Sequence, residues 1–236
     1  MTTRAAETSP LVRARVAGLL YLVVGLPAPF ALLYLPSRLV VRGDAAATTH
    51  NIMASQSLFR LGIVGLLFNG IGMIFLILAL YQLLKVVNKN VAWLMVLFVL
   101  VGVSIGMLNE LNNLAVLLLL SGADYLNVFT TEQLQALAYL FLRLHTQGLN
   151  IAQIFWGLWL FPMGYLVYKS GFLPKVLDVL LMIACFGYVI ESFGAFLGYN
   201  LNIILFTGWG ELTLLLWLLI KGVNVEQWHQ RALESA

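Results

Sequence analysis

Charged residues make up only 10% of the 236-residue chain, against 61% hydrophobic residues, so there is too little polar surface to cover a water-soluble globule. Cysteine is almost absent. The single Cys185 excludes an internal disulfide and a thiolate metal cluster, and its place in an apolar run reads as a small packing residue. The three histidines show no His-x-x-x-His or His-Glu-x-x-His spacing, and glycines occur singly inside apolar runs. The sequence therefore has neither the common zinc signatures nor a phosphate-binding or dinucleotide loop. No lysine falls at mid-depth of an apolar run, which removes the attachment point for a Schiff base. Ser104 and Ser192 lack a nucleophile elbow. The net charge of +3 is spread over helix flanks, so nucleic acid is not an expected partner.

What is present is long apolar runs and a mean hydropathy of +0.94. The runs are continuous and Leu-rich where a membrane barrel would alternate, so the expected class is an all-α, polytopic membrane protein surrounded by lipid. Six spans are predicted, at about 14–35, 58–85, 91–120, 149–169, 174–197 and 202–221, forming a six-helix transmembrane bundle within one domain over residues 1–236. The first run ends at Pro36 and Ser37 without a small-x-small cleavage site and reads as a retained helix. Lys85, Lys89, Lys169, Lys175 and Lys221, with the arginines before the first span, put both termini in the cytoplasm; Arg38 and Arg42 fall on the other side.

Local signals sharpen this picture. Asp44 can cap a helix that runs through Ala45–Ala47 into the second span, and Thr130 with Gln133 forms a capping box opening the fourth. A helix from Thr131 to Lys169 would be about 58 Å long, with Gly148 and Pro162 as the expected bends and Glu132 to His145 as an interfacial segment. Gly171 reads as a left-handed cap, and Pro174 as the first residue of the next helix. Spans two and three, and four and five, are expected as antiparallel hairpins, and no residue-level repeat relates the two halves. Gly102-x-x-x-Gly106 and Gly194-x-x-x-Gly198 suit either packing within the chain or a homodimer.

Glu110, Glu191 and Glu211 lie inside the apolar runs, where a carboxylate is costly without a partner or a task. The predicted pocket, open to the outside, is built by Asn109, Glu110, Asn113, His145, Asn150, Glu191 and Glu211. Arg143 and Gln153 lie on the same helical stripe as Asn150, Trp209 stands beside Glu211, and Arg143 or Arg60 is the expected counter-ion for one glutamate. Trp156, Trp159, Phe155, Phe161 and Tyr165 would supply aromatic walls.

These polar residues have a plain structural use, tying helices together by hydrogen bonds. Three chemistries stand beside it. A desolvated glutamate can carry a proton as a general acid, for example toward an isoprenoid alkene or epoxide. His145 with two glutamates has the donor types for zinc or iron, but the spacing is poor, and no metal or cofactor is expected. The third use is binding or moving a small amphiphilic or protonatable ligand, which is the favoured one. A structural or accessory subunit meeting another membrane protein is a further alternative.

The runs Gly43-Asp44-Ala45-Ala46-Ala47-Thr48, Leu58-Phe59-Arg60-Leu61-Gly62, Gly164-Tyr165-Leu166-Val167-Tyr168-Lys169-Ser170-Gly171-Phe172-Leu173-Pro174 and Gly210-Glu211-Leu212 resemble the bacterial membrane family called domain of unknown function four-three-eight-six. So do His145-x-x-Gly148 and Gly187-Tyr188 before Glu191-Ser192-Phe193. The resemblance covers nearly the whole chain. It implies a single domain in a bacterial inner membrane and implies no activity or site residues.

Overall fold

The computed structural model describes residues 9–234, which are mostly helical with no strand among them. Helix α1, Pro10–Leu39, passes through Pro27 and Pro29. Those two residues withhold the N–H groups due to the carbonyls of Val23 and Gly25. The next turn, Phe30–Tyr34, widens to π geometry, a common accommodation for such a break, and Asn69 donates to the carbonyl of Val24 at 2.8 Å. The helix thus runs four residues past the predicted end at 35.

Helix α2, Ala45–Ala54, is capped by Asp44, whose carboxylate accepts from Ala47 N–H at 2.8 Å, as the sequence predicts. It does not run unbroken into α3, Gln56–Leu84. Ser55 leaves the helical region at φ −127° and ψ 37°. Helix α4, Lys89–Leu119, starts after Asn88, whose side-chain oxygen accepts from the N–H groups of Asn90 and Val91.

Helix α5, Thr131–Leu158, opens on the expected capping box. Gln133 accepts from Thr130 N–H at 2.9 Å, and Thr130 accepts from Gln133 N–H at 3.3 Å. The chain breaks at Trp159 and resumes as α6, Leu160–Ser170. Pro162 is the cause, because it lacks the N–H for the carbonyl of Leu158. Gly148 leaves the helix unbroken; its role lies elsewhere. Gly171 closes α6 at φ 75°, a left-handed value that needs no Cβ. Pro174 stands just outside α7, Lys175–Phe196, at ψ 135°.

The predicted sixth span is interrupted. Helix α8, Ile204–Thr207, and α9, Trp209–Ile220, meet at Gly208. Together they measure about 25 Å, short of a hydrocarbon core of about 30 Å. A polar helix that the apolar pattern does not announce, α10, Val225–Glu234, turns away by 103°. By length and composition α1, α3, α4, α5 with α6, and α7 can each cross a membrane, and α8 to α10 form a bent sixth candidate. Outward-facing Leu19, Phe68, Phe75, Leu97 and Leu111 give these helices the lipid-facing surface a bilayer demands.

The chain divides into two compact units. Among the described residues the first comprises 9–23, Gly72–Gly102 and 153–234, and the second Val24–Ile71 and Val103–Ala152. In the first, buried Leu76, Leu80, Met95, Trp159, Met163, Leu177 and Leu214 supply the core. Small residues allow close approach there: Gly102 lies against Trp156, Gly194 against Leu201, and Gly210 against the backbone of Leu180. The second unit has its own core of Leu35, Leu39, Ile52, Phe59, Ile63, Val116, Leu117 and Ala138.

Candidate functional site

The second unit holds the ionic cluster. Glu110 is 2% exposed, and its Oε1 meets His145 Nε2 at 2.9 Å. Its other oxygen accepts from Asn113 Nδ2 at 2.9 Å, a contact the i, i+3 spacing on α4 makes available. Asn109 donates to the backbone carbonyl of His145 at 2.8 Å and accepts from Asn112 Nδ2 at 2.9 Å. Helix α4 therefore grips His145 by both its ring and its backbone.

That grip needs Gly148. A Cβ there would run into the side-chain amide of Asn109, so the glycine allows α5 to approach α4 closely. Among the described residues the ion pairs are His145–Glu110 and Arg231–Glu234. The group that faces Glu110 from α5 is thus the imidazole, and neither Arg60 nor Arg143 pairs with a glutamate among the described residues. No group of three or more His, Cys, Asp or Glu side chains among the described residues is placed to hold a metal.

His145 and Asn113 also line a pocket of about 260 Å³. Leu35, Leu39, Phe59, Ile63 and Leu66 are among its apolar walls, and Arg42, Tyr139, Arg143 and Thr146 also line it. Asn150 is half-buried and donates to Gln147 Oε1 at 3.3 Å; neither residue is part of that lining.

The remaining predicted site residues belong to the first unit. Glu211 accepts a hydrogen bond from the Tyr21 hydroxyl and has the Tyr188 hydroxyl as a second partner. Glu191 accepts from Ile204 N–H at 2.9 Å, satisfying one of the open donors at the start of α8. Gln153 is half-buried, and Trp209 is 60% exposed. Trp156, Trp159, Phe155, Phe161 and Tyr165 also belong to this unit, with Trp159 buried in its core. A second hollow, of about 380 Å³, lies among the turns Gly171–Pro174 and Lys221–Asn224 with Trp217, and no carboxylate or imidazole lines it.

Sequence reasoning missed Tyr21 and Tyr188 as carboxylate partners, because nothing in a tyrosine within an apolar run marks the element it faces. Arg42 did carry a signal. It falls against the cytoplasmic bias of the other basic residues, so orientation alone does not explain it.

A protein from Archaeoglobus fulgidus described as "Uncharacterized protein" is 34% identical over 151 residues, covering 63% of this chain and 76% of the relative. No solved structure matches the chain. The sequence profile described as domain of unknown function (DUF4386) matches residues 16–222, and with most of its length matched this multi-pass membrane chain belongs to that family.

Proposed function

We propose that this protein binds a small amphiphile in the pocket of the second unit that His145 helps to line. The carrying observation is the lining itself: apolar side chains of α1 and α3, among them Leu35, Leu39, Phe59, Ile63 and Leu66, together with His145, Asn113, Arg42 and Arg143. A few polar groups converging on an apolar cavity is the usual composition of a small-molecule site. His145 and Asn113, which line the pocket, are both hydrogen-bonded to Glu110, so this polar part of the lining is held in place. We take the membrane to be the bacterial cytoplasmic membrane and both termini to be cytoplasmic, on the flanking basic residues.

Native mass spectrometry of the gently extracted protein tests the reading. An amphiphile adduct on the wild type, lost in Leu66→Trp, whose indole fills the cavity, is the expected result. A bare protein that takes up neither decanol nor decanoate at saturation would overturn it.

A second reading has one observation in its favour. An imidazole 2.9 Å from a buried carboxylate is an acid–base pair within reach of a bound ligand, so the pocket could host proton transfer to an isoprenoid or other lipid. Conversion of a bound lipid by the wild type, abolished in Glu110→Gln while the adduct persists, would favour catalysis over binding.

A further inference from the structure

We infer that the amphiphile is a single-chain molecule with an anionic head, held at the pocket by Arg42 and Arg143. This rests on the binding reading above and names its ligand class. Both guanidinium groups line the pocket, and no carboxylate lines it with them. Neither arginine belongs to an ion pair among the described residues. The His145 imidazole already faces Glu110, so the arginines carry the uncompensated charge of the lining.

Their arrangement is built by the fold. The turn after α1 places Gly43 at φ 81°, and the Gly43 N–H donates to the Tyr139 hydroxyl at 2.9 Å. Tyr139 and Arg143 are one turn apart on α5, hence on the same face. Arg42 is thereby fastened beside the helix that carries Arg143. Two planar guanidinium forks suit a carboxylate or phosphate, which each can bind through paired N–H groups. The volume of about 260 Å³ is at the small end of ligand sites, which favours one acyl or alkyl chain over a two-chain phospholipid.

The test uses the full chain in phosphatidylcholine nanodiscs, with four probes of equal chain length: decanoate, decyl phosphate, decanol and decyltrimethylammonium. Pocket binding is the difference between wild type and Leu66→Trp, which removes simple partition into lipid. The anionic probes should bind saturably at one per chain. Arg42→Gln or Arg143→Gln should each weaken them about tenfold or more, as expected for a lost charge-assisted hydrogen bond, with decanol binding unchanged. Arg60→Gln, an exposed arginine outside the lining, should leave all four probes as they were.

Decanoate against decyl phosphate then separates a carboxylate from a phosphate head. Equal binding of decanol and the anions, or an equal loss in Arg60→Gln, would overturn the anionic assignment and leave the pocket reading standing. If no probe distinguishes wild type from Leu66→Trp, both readings fall. Circular dichroism of each variant reports whether it has folded.

Discussion

Glu110 and Glu211 are two glutamates in the apolar runs of one chain, supported in different ways. Glu110 faces a histidine and an asparagine, so one of its partners is an imidazole ring at 2.9 Å. Glu211 has two phenols, which donate hydrogen bonds but bring no positive charge. A buried carboxylate therefore needs either a counter-ion or enough donors, and only the first arrangement borders a pocket with further cations.

The sharpest way to break this contrast is His145→Ala. Removing one partner from a buried pair leaves the other uncompensated, at a cost of about 3–5 kcal/mol, read from denaturant unfolding in micelles. The double variant with Glu110→Gln should recover a large part of that loss. An additive double variant would mean that the two side chains do not act as a pair.

Gly148→Val should cost about 1–3 kcal/mol by forcing Asn109 off α5, in the same assay. Tyr21→Phe deletes one of two phenol donors and should cost about 1–2 kcal/mol, with Glu211→Gln near neutral because an amide oxygen still accepts. If Tyr21→Phe proves as damaging as His145→Ala, the phenol cluster is the more demanding of the two and the comparison reverses. The smallest effect is expected at the α5 capping box, where Thr130→Ala should lower stability by about 1 kcal/mol.

Features legible in the sequence were the local ones. The caps at Asp44 and Thr130, the left-handed Gly171, the break at Pro162 and the contact between Glu110 and Asn113 each depend on residues within a turn or two. Spans were legible because an apolar run of sufficient length has one stable outcome in lipid. Pro36 was read as the end of the first span, but it stands in the first turn of the helical segment Leu35–Leu39 that follows the π turn, where a missing N–H costs little. Pairings between distant helices were not legible: Arg60 or Arg143 was expected to face one of the glutamates, and packing gives Glu110 the imidazole of His145 instead. The same limit applies to the predicted pocket, whose residues proved to be members of two units.

Helix α10 escaped notice because its residues are mostly polar, yet it is well anchored. Trp228 donates from its indole to the carbonyl of Leu83 at 2.9 Å, and Arg13 lies over its ring at 5.5 Å. Asn224 N–H reaches the carbonyl of Phe172 at 3.1 Å. These contacts set an order of events during biosynthesis, since a chain is made and folded from its N-terminal side. Arg13 and the last turn of α3 are synthesised long before Trp228, so these contacts form only once α10 has been made. A chain ending before residue 228 would lack both contacts, so its last turn of α3 should be cut by a protease at this end faster than that of the finished protein.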